Sequence, residues 1–327
     1  MKLARALLLV LGVVLMGVLV AQNDPAEIFA SITRLSWKLG VLICFPSVLV
    51  MVFDTLGWRF AFLHDRVRFR TLFGARLAGE AFNLTTPTAA LGGEAVKTWL
   101  LRGHAPLDES LLSVVVAKTT IVIAQGLFLL LGIVLAWLVV LPDSPLLRGM
   151  LWLLLLEVLV VGVFVVAQTQ GMFGKGQRLL QQMRLRRSGS GETLSRVDHG
   201  LASFYRSQPR RLVLSIGTHL VAWLLGSVEV YLTLHFLGAD VSLPTAIVIE
   251  AFGTAVRFAT FMIPASVGAQ EGIFVVTFAA LGLGSTTGVS FALTRRVREI
   301  AWIVAGLIAF AVMRETPART LEPGSTG

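Results

Sequence analysis

The sequence predicts an all-α polytopic membrane protein with two inverted repeats, about six full transmembrane helices and two broken, re-entrant hairpins. Three observations carry this. Only 14% of residues are charged and 55% are hydrophobic, where a soluble domain runs near a quarter charged. Apolar runs long enough to cross a bilayer recur along the chain. Two further apolar regions, 72–101 and 244–284, are interrupted by proline, glycine and charge, and they resemble one another.

The first run, 3–21, has the make-up of a signal peptide but no small-residue cleavage site at Leu19-Val20-Ala21, so it reads as an uncleaved span. Runs at about 36–57, 108–141, 149–169, 211–237 and 288–313 supply the other five. Basic residues set the orientation. Lys2 and Arg5 precede the first span, and Arg59, Arg66, Arg68, Arg70 and Arg76 follow the second. A third cluster, from Lys175 to Arg211, lies between the fourth and fifth spans, whereas the turns at Asp24, Asp143 and Asp240 carry few cations. The positive-inside rule then places both termini in the cytoplasm of a bacterial inner membrane. The net charge of +9 fits loops that face anionic lipid and argues against nucleic acid.

Within the 171–211 loop, Leu194, Val197, Leu201 and Phe204 recur at helical spacing, and Leu179, Leu180 and Met183 form a second apolar patch. These predict two amphipathic helices on the anionic inner leaflet, joined by a flexible link at 186–192. The tail 314–327 reads as disordered.

The two broken regions align in detail. Each opens with Glu-Ala-Phe, at Glu80 and at Glu250. Seven positions separate Pro87 from Glu94, and seven separate Pro264 from Glu271. A cation follows each glutamate by 24 positions, Lys118 in one case and Arg295 in the other. The first region starts and ends near cytoplasmic cations and the second starts and ends outside, so the repeats, about 35–141 and 211–313, are inverted. Matched interruptions in inverted repeats point to a transport site near the bilayer midplane. Broken backbone is tolerated at that depth only where it lines a cavity.

Ionised side chains in mid-span are costly and mark functional positions. Lys118, Glu157, Glu229, Glu250, Arg257, Glu271, Arg295, Arg296, Arg298 and Glu299 all fall in or near apolar surroundings. Arg295, Arg298 and Glu299 share one helix face, and arginine's fork suits a lipid phosphate. The plain alternative is a salt bridge of Arg295 with Glu299. Gly92 and Gly93 stand where backbone amides and a helix start would favour an anion, although Glu94 beside them repels one. Gly268 and Gly272 flank the second hairpin glutamate. Glu157 and Glu229 have no counterpart in the other repeat and read as structural.

Catalytic signatures are thin. The five histidines have no metal-ligand spacing, Cys44 is the single cysteine, and no nucleotide-binding motif occurs. The sequence therefore implies no cofactor.

The segments "NLTTPTAALGGEAVKTWLL" (83–101) and "IPASVGAQEGIF" (263–274) resemble the lysylphosphatidylglycerol synthase transmembrane-region family, a flippase-like membrane domain. The likeness covers roughly 35–313. "ALTRRVREIAWIVAGL" (292–307) looks like the last span of a hopanoid-associated branch. The family motif maps onto Pro87, Gly92, Gly93, Glu94, Pro264, Gly268, Glu271 and Gly272, with no role attached to Gln270. The resemblance implies a stand-alone lipid translocase without the soluble synthase domain. Its substrate would be a phospholipid, a polyprenyl-linked lipid or a hopanoid. Glu94, Lys118, Glu271, Arg295 and Arg298 would line the headgroup path, with Glu80, Glu250, Arg257 and Glu299 in support. Two other classes fit the residues: a membrane-embedded lipid-modifying enzyme using Glu94 and Glu271, and a non-catalytic partner of a lipid-synthesis enzyme. Association into a homo-oligomer is compatible with each.

Overall fold

A computed structural model describes residues 35–64, 67–86, 92–140, 143–171 and 191–315, with a few single positions before residue 35. The first expected span, Pro87, the patch at 179–183, the expected link up to residue 190 and the tail from 316 onward lie outside the described residues, while residues 191–192 of that link and 314–315 of that tail are helical instead.

Every described element is helical. Helix α1 runs Trp37–Phe60, α2 Phe69–Thr85, α3 Gly92–Leu100, α4 Leu107–Val139 and α5 Pro145–Thr169. After residue 190 come α6 Gly191–Ser207, α7 Pro209–Phe236, α8 Leu243–Ala259, a 3₁₀ turn Pro264–Ser266, α9 Ala269–Ala280 and α10 Ser285–Glu315. Local chemistry explains many of the ends. Proline opens α5 and α7 at the first helical turn, where its missing N–H costs nothing. Ser144 and Ser242 accept backbone N–H bonds from Leu146 and Thr245 and cap α5 and α8. Asp108 and Glu109 sit in the first turn of α4, where the helix dipole favours acids.

Four helices, α1, α4, α5 and α7, are long and apolar enough to cross a membrane. They coincide with four of the expected spans. The last expected span is α10, whose 31 residues give ample length. Its charged cluster at Arg295–Glu299 keeps it out of the apolar set. The two broken regions are hairpins of short helices. Arm α3 has 9 residues and α9 has 12, too few to cross alone, and α2 and α8, at 17 each, stand at the lower limit. Between α8 and α9 the chain turns through Ala265 and Ser266 at φ +49° and Gly268 at φ +81°. The two non-glycine residues there hold a strained backbone.

The helices interlock across the sequence. Helix α1 packs on α7, α2 on α10, and α8 on α4. This pattern is unchanged when α1–α4 are exchanged for α7–α10. The alanine of each Glu-Ala-Phe marks a tight crossing. A Cβ on Gly132 of α4 would lie 2.5 Å from that of Ala251, and a Cβ on Gly306 of α10 would lie 2.6 Å from that of Ala81. Glycine is required at both places so that the backbones can approach.

Side chains from α2, α4, α6 and the end of α1 form one core cluster around Trp58, Leu72, Leu112 and Phe204. A second joins α4, α5 and α8 around Phe128, Met150 and Phe252, and a third joins α7 to α10 around Phe274, Phe278 and Phe291. By contrast, α5 turns Trp152, Leu155, Val158, Leu159 and Val163 outward, all more than half exposed, as a lipid-facing helix does.

Helix α6 departs from the expectation. Its apolar face does not rest on lipid. Val197, Leu201 and Phe204 are buried in the first core cluster, and Leu112 of α4 closes against Gly200. Polar bonds fix the helix as well. The Tyr205 hydroxyl donates to Gln168 Oε1 at 2.6 Å, and Gln168 Nε2 donates to Thr119 at 3.0 Å.

Candidate functional site

A cavity of about 790 Å³ opens at the centre of the helices. Its walls come from α1, α2, α4, α5, α7, α8 and α10 and from the turn at Ala265–Ser266. Ten ionisable side chains of either sign line it: Asp54, Arg76, Glu80, Lys118, Glu229, Glu250, Arg257, Arg295, Arg298 and Glu299. So many charges among apolar spans stay ionised only if they pair or meet water.

Most of them pair. On the α8–α10 side, Arg295 donates two bonds to Glu250, at 2.6 and 2.9 Å. Arg298 donates to Glu229, and Arg257 to Glu299. Arg296 bridges Glu299 at 2.7 Å and Glu271 at 2.5 Å. The alternative salt bridge of Arg295 with Glu299 is therefore not the one formed. The i, i+4 geometry allowed it, but Glu250 on the neighbouring helix offers a bidentate carboxylate, the stronger partner. Arg257 also donates to Gln270 at 2.7 Å, which gives that residue a place in the network.

On the α1–α2 side, Arg76 donates to Asp54 at 2.6 Å, and the other Asp54 oxygen meets His219 Nδ1 at 2.8 Å. Sequence reasoning missed this group. Arg76 was grouped with the loop cations, yet it is buried inside α2. Asp54 and His219 were each visible as polar residues inside an expected span, which is itself the signal. Lys97 was missed too. It is buried, holds Glu94 with two 3.0 Å bonds, and lies 5.8 Å from the Trp58 ring centre.

The predicted residues divide. Lys118, Arg295 and Arg298 line the cavity, and so do Glu80, Glu250, Arg257 and Glu299. Glu94 lines a side chamber of about 40 Å³ that shares Arg76, Glu80 and Lys118 with the main cavity. It faces Lys97, Asn83 and, at 3.9 Å, Lys118. Glu271 lines neither space. It accepts from the Gly268 amide at 2.6 Å and from Arg296, holding the start of α9. The Gly93 amide donates to Asn83 Oδ1 at 2.8 Å, so a side chain of the protein occupies the place suggested for an anion. Pro264 and Gly268 belong to the turn before α9, and a Cβ on Gly272 would meet nothing within 4 Å. Gly92 begins α3.

Exposure separates cations that hold the wall from cations that face the void. The Arg295 side chain is 9% exposed and Arg298 16%, against 33% for Arg257 and 46% for Lys118. Glu80 lines both spaces and has no ion-pair partner among the described residues. At one flank the lining turns apolar. Leu156, Val160, Phe261 and Met262 border the cavity and are 40–55% exposed. A charged interior thus opens beside an apolar edge.

Residues 5–308 match the family described as lysylphosphatidylglycerol synthase TM region. A protein named UPF0104 membrane protein from Methanothermobacter thermautotrophicus is 24% identical over 333 aligned positions, covering 95% of this chain and 96% of the relative. No solved structure matches the chain.

Proposed function

The chain belongs to the lysylphosphatidylglycerol synthase transmembrane-region family, and on that premise we propose that it is a lipid translocase of the bacterial inner membrane, with both termini cytoplasmic. The observation that carries the reading is the charged 790 Å³ cavity with an apolar, exposed flank. A lipid has the same division. Its headgroup would cross through the polar interior while its acyl chains stay in the bilayer beside Leu156, Val160, Phe261 and Met262. Lys118 and Arg257, the most exposed cations of the wall, would meet an anionic headgroup. Glu80, which has no ion-pair partner among the described residues, would meet water or a cationic group. The interlocked packing of α1–α4 with α7–α10 supports two inverted repeats that close around this cavity.

The test is leaflet exchange. The protein is reconstituted in liposomes with fluorescent lipids of anionic, zwitterionic and cationic headgroups, and the outer leaflet is quenched chemically. The reading predicts exchange above protein-free liposomes, with the recovered lipids unchanged in mass. Exchange at the protein-free rate for every headgroup would refute it, and a changed lipid mass would point to an enzyme.

A further inference from the structure

Helix α5 carries one acid, and it is placed unlike any other among the described residues. Glu157 is the thirteenth of the helix's 25 residues, its midpoint, on a helix that otherwise shows lipid an apolar face. The residue is 1% exposed, and neither carboxylate oxygen has a hydrogen-bond partner among the described residues. Elsewhere in the structure, buried acids are tied to cations: Glu229, Glu250, Glu271 and Glu299 all hold arginines. An ionised carboxylate without a counter-charge is the most costly form such a group can take in a membrane interior. A protonated one carries no charge and is accommodated there.

The neighbours agree. Helices α4, α8 and α6 pack against α5, and none of their charged side chains bonds to Glu157 among the described residues. On α4, Lys118 faces Glu94, eight residues or roughly 12 Å of helix from Gly126. On α8, Glu250 holds Arg295 and Arg257 holds Glu299. Helix α6 meets α5 at its far end, where Tyr205 bonds Gln168 and Arg196 pairs with Asp108. What does face the carboxyl is Gly126 of α4, where a Cβ would stand 3.7–4.0 Å from the carboxyl atoms. The residues on either side of this contact, Val122 and Gln125 of α4 and Leu156, Val160 and Val161 of α5, line the central cavity. The acid itself does not line the cavity, but its neighbours on both helices do.

We propose that Glu157 is a proton-binding site of the membrane interior, exchanging its proton with the central cavity across the α4–α5 wall. The ligand is the proton itself, and Gly126 opposite the acid sets no side chain of its own against the carboxyl. This assignment stands apart from the lipid reading. A chain without lipid exchange would still show it.

The test is infrared difference spectroscopy on the full chain in lipid nanodiscs, comparing wild type with Glu157→Gln at neutral pH. A carbonyl band of a protonated carboxylic acid is expected in wild type, absent from the variant, and shifted after transfer to D₂O. No difference band would mean an ionised Glu157 and would overturn the proposal. A band unmoved by D₂O would mean a sealed acid, and would overturn it as well. Should Glu157→Gln fail to fold, dicyclohexylcarbodiimide is applied to wild type and mapped by mass spectrometry. A protonated carboxyl adds across the reagent's C=N bond, its proton passing to nitrogen, and nothing is lost from the adduct. Modification of Glu157 that accelerates as pH falls is expected. Glu157 left unmodified while other carboxyls such as Glu80 react would overturn the assignment.

Discussion

Replacing either member of the Glu250–Arg295 pair should destabilise the protein far more than replacing both. The two side chains are 3% and 9% exposed, and two bonds at 2.6 and 2.9 Å join them. Unit charges about 4 Å apart attract by about 4 kcal/mol at an effective dielectric near 20. Removing one partner of a buried pair costs about 3–5 kcal/mol, because the other charge is left uncompensated. Glu250→Leu and Arg295→Met should each cost that much. Independent sites would then give a double variant roughly 6–10 kcal/mol less stable than wild type. A coupled pair gives a double variant no worse than either single, since well-packed apolar replacements of buried pairs are often neutral. Met at 295 can also keep contact with Phe274 and Phe291, whose ring centres lie 5.5 and 5.7 Å from the guanidinium. The assay is unfolding of full-length protein in mixed micelles by titration with sodium dodecyl sulfate, followed by circular dichroism. Singles close to wild type, or a double equal to their sum, would refute the view that Arg295 holds the wall.

Three further substitutions probe other parts of the structure. Lys118→Ala removes an exposed cation whose only close acid among the described residues is 3.9 Å away, so stability should change by less than about 1 kcal/mol; exchange of anionic lipid should fall about 10- to 100-fold, the loss expected for one charged hydrogen bond. Gly57→Ala would set a Cβ 2.5–2.8 Å from the His219 ring; unfolding titrations should show a cost of about 1–3 kcal/mol, largely relieved when His219 is itself alanine. Phe204→Asp places a charge in the core beneath α6; the helix should detach from α4, seen as faster trypsin cleavage at Arg196 and Arg206.

The spans at α1, α4, α5 and α7 were legible because apolar runs of twenty or more residues have few alternatives to crossing a bilayer. The hairpins were legible from proline, glycine and charge at matched spacing, and Glu250 and Arg295, paired in the structure, stand at positions that the alignment of the two regions had already singled out. Their counterparts Glu80 and Lys118 both border the cavity. Pairing itself was not legible. The sequence shows which residues share a helix face, as with Arg295 and Glu299, but partner choice depends on how neighbouring helices cross. For the same reason Asp54, Arg76 and His219, drawn from three helices, gave no motif. Glu271 shows the opposite case: a position shared with the family motif, whose side chain caps a helix rather than facing the void. Helix α6 was readable as amphipathic, but amphipathicity does not say whether lipid or protein covers the apolar face.

The central claim is that headgroups travel through the charged cavity. It is tested most directly by blocking that space in a working protein. Met51 of α1 lines the cavity, and Cys44 is the single native cysteine. A Cys44→Ser, Met51→Cys protein in liposomes would be measured for leaflet exchange before and after complete reaction with a bulky thiol reagent. Exchange that stops on labelling, while Cys44→Ser alone is unaffected by the reagent, is the predicted result. Undiminished exchange in fully labelled protein would contradict the account.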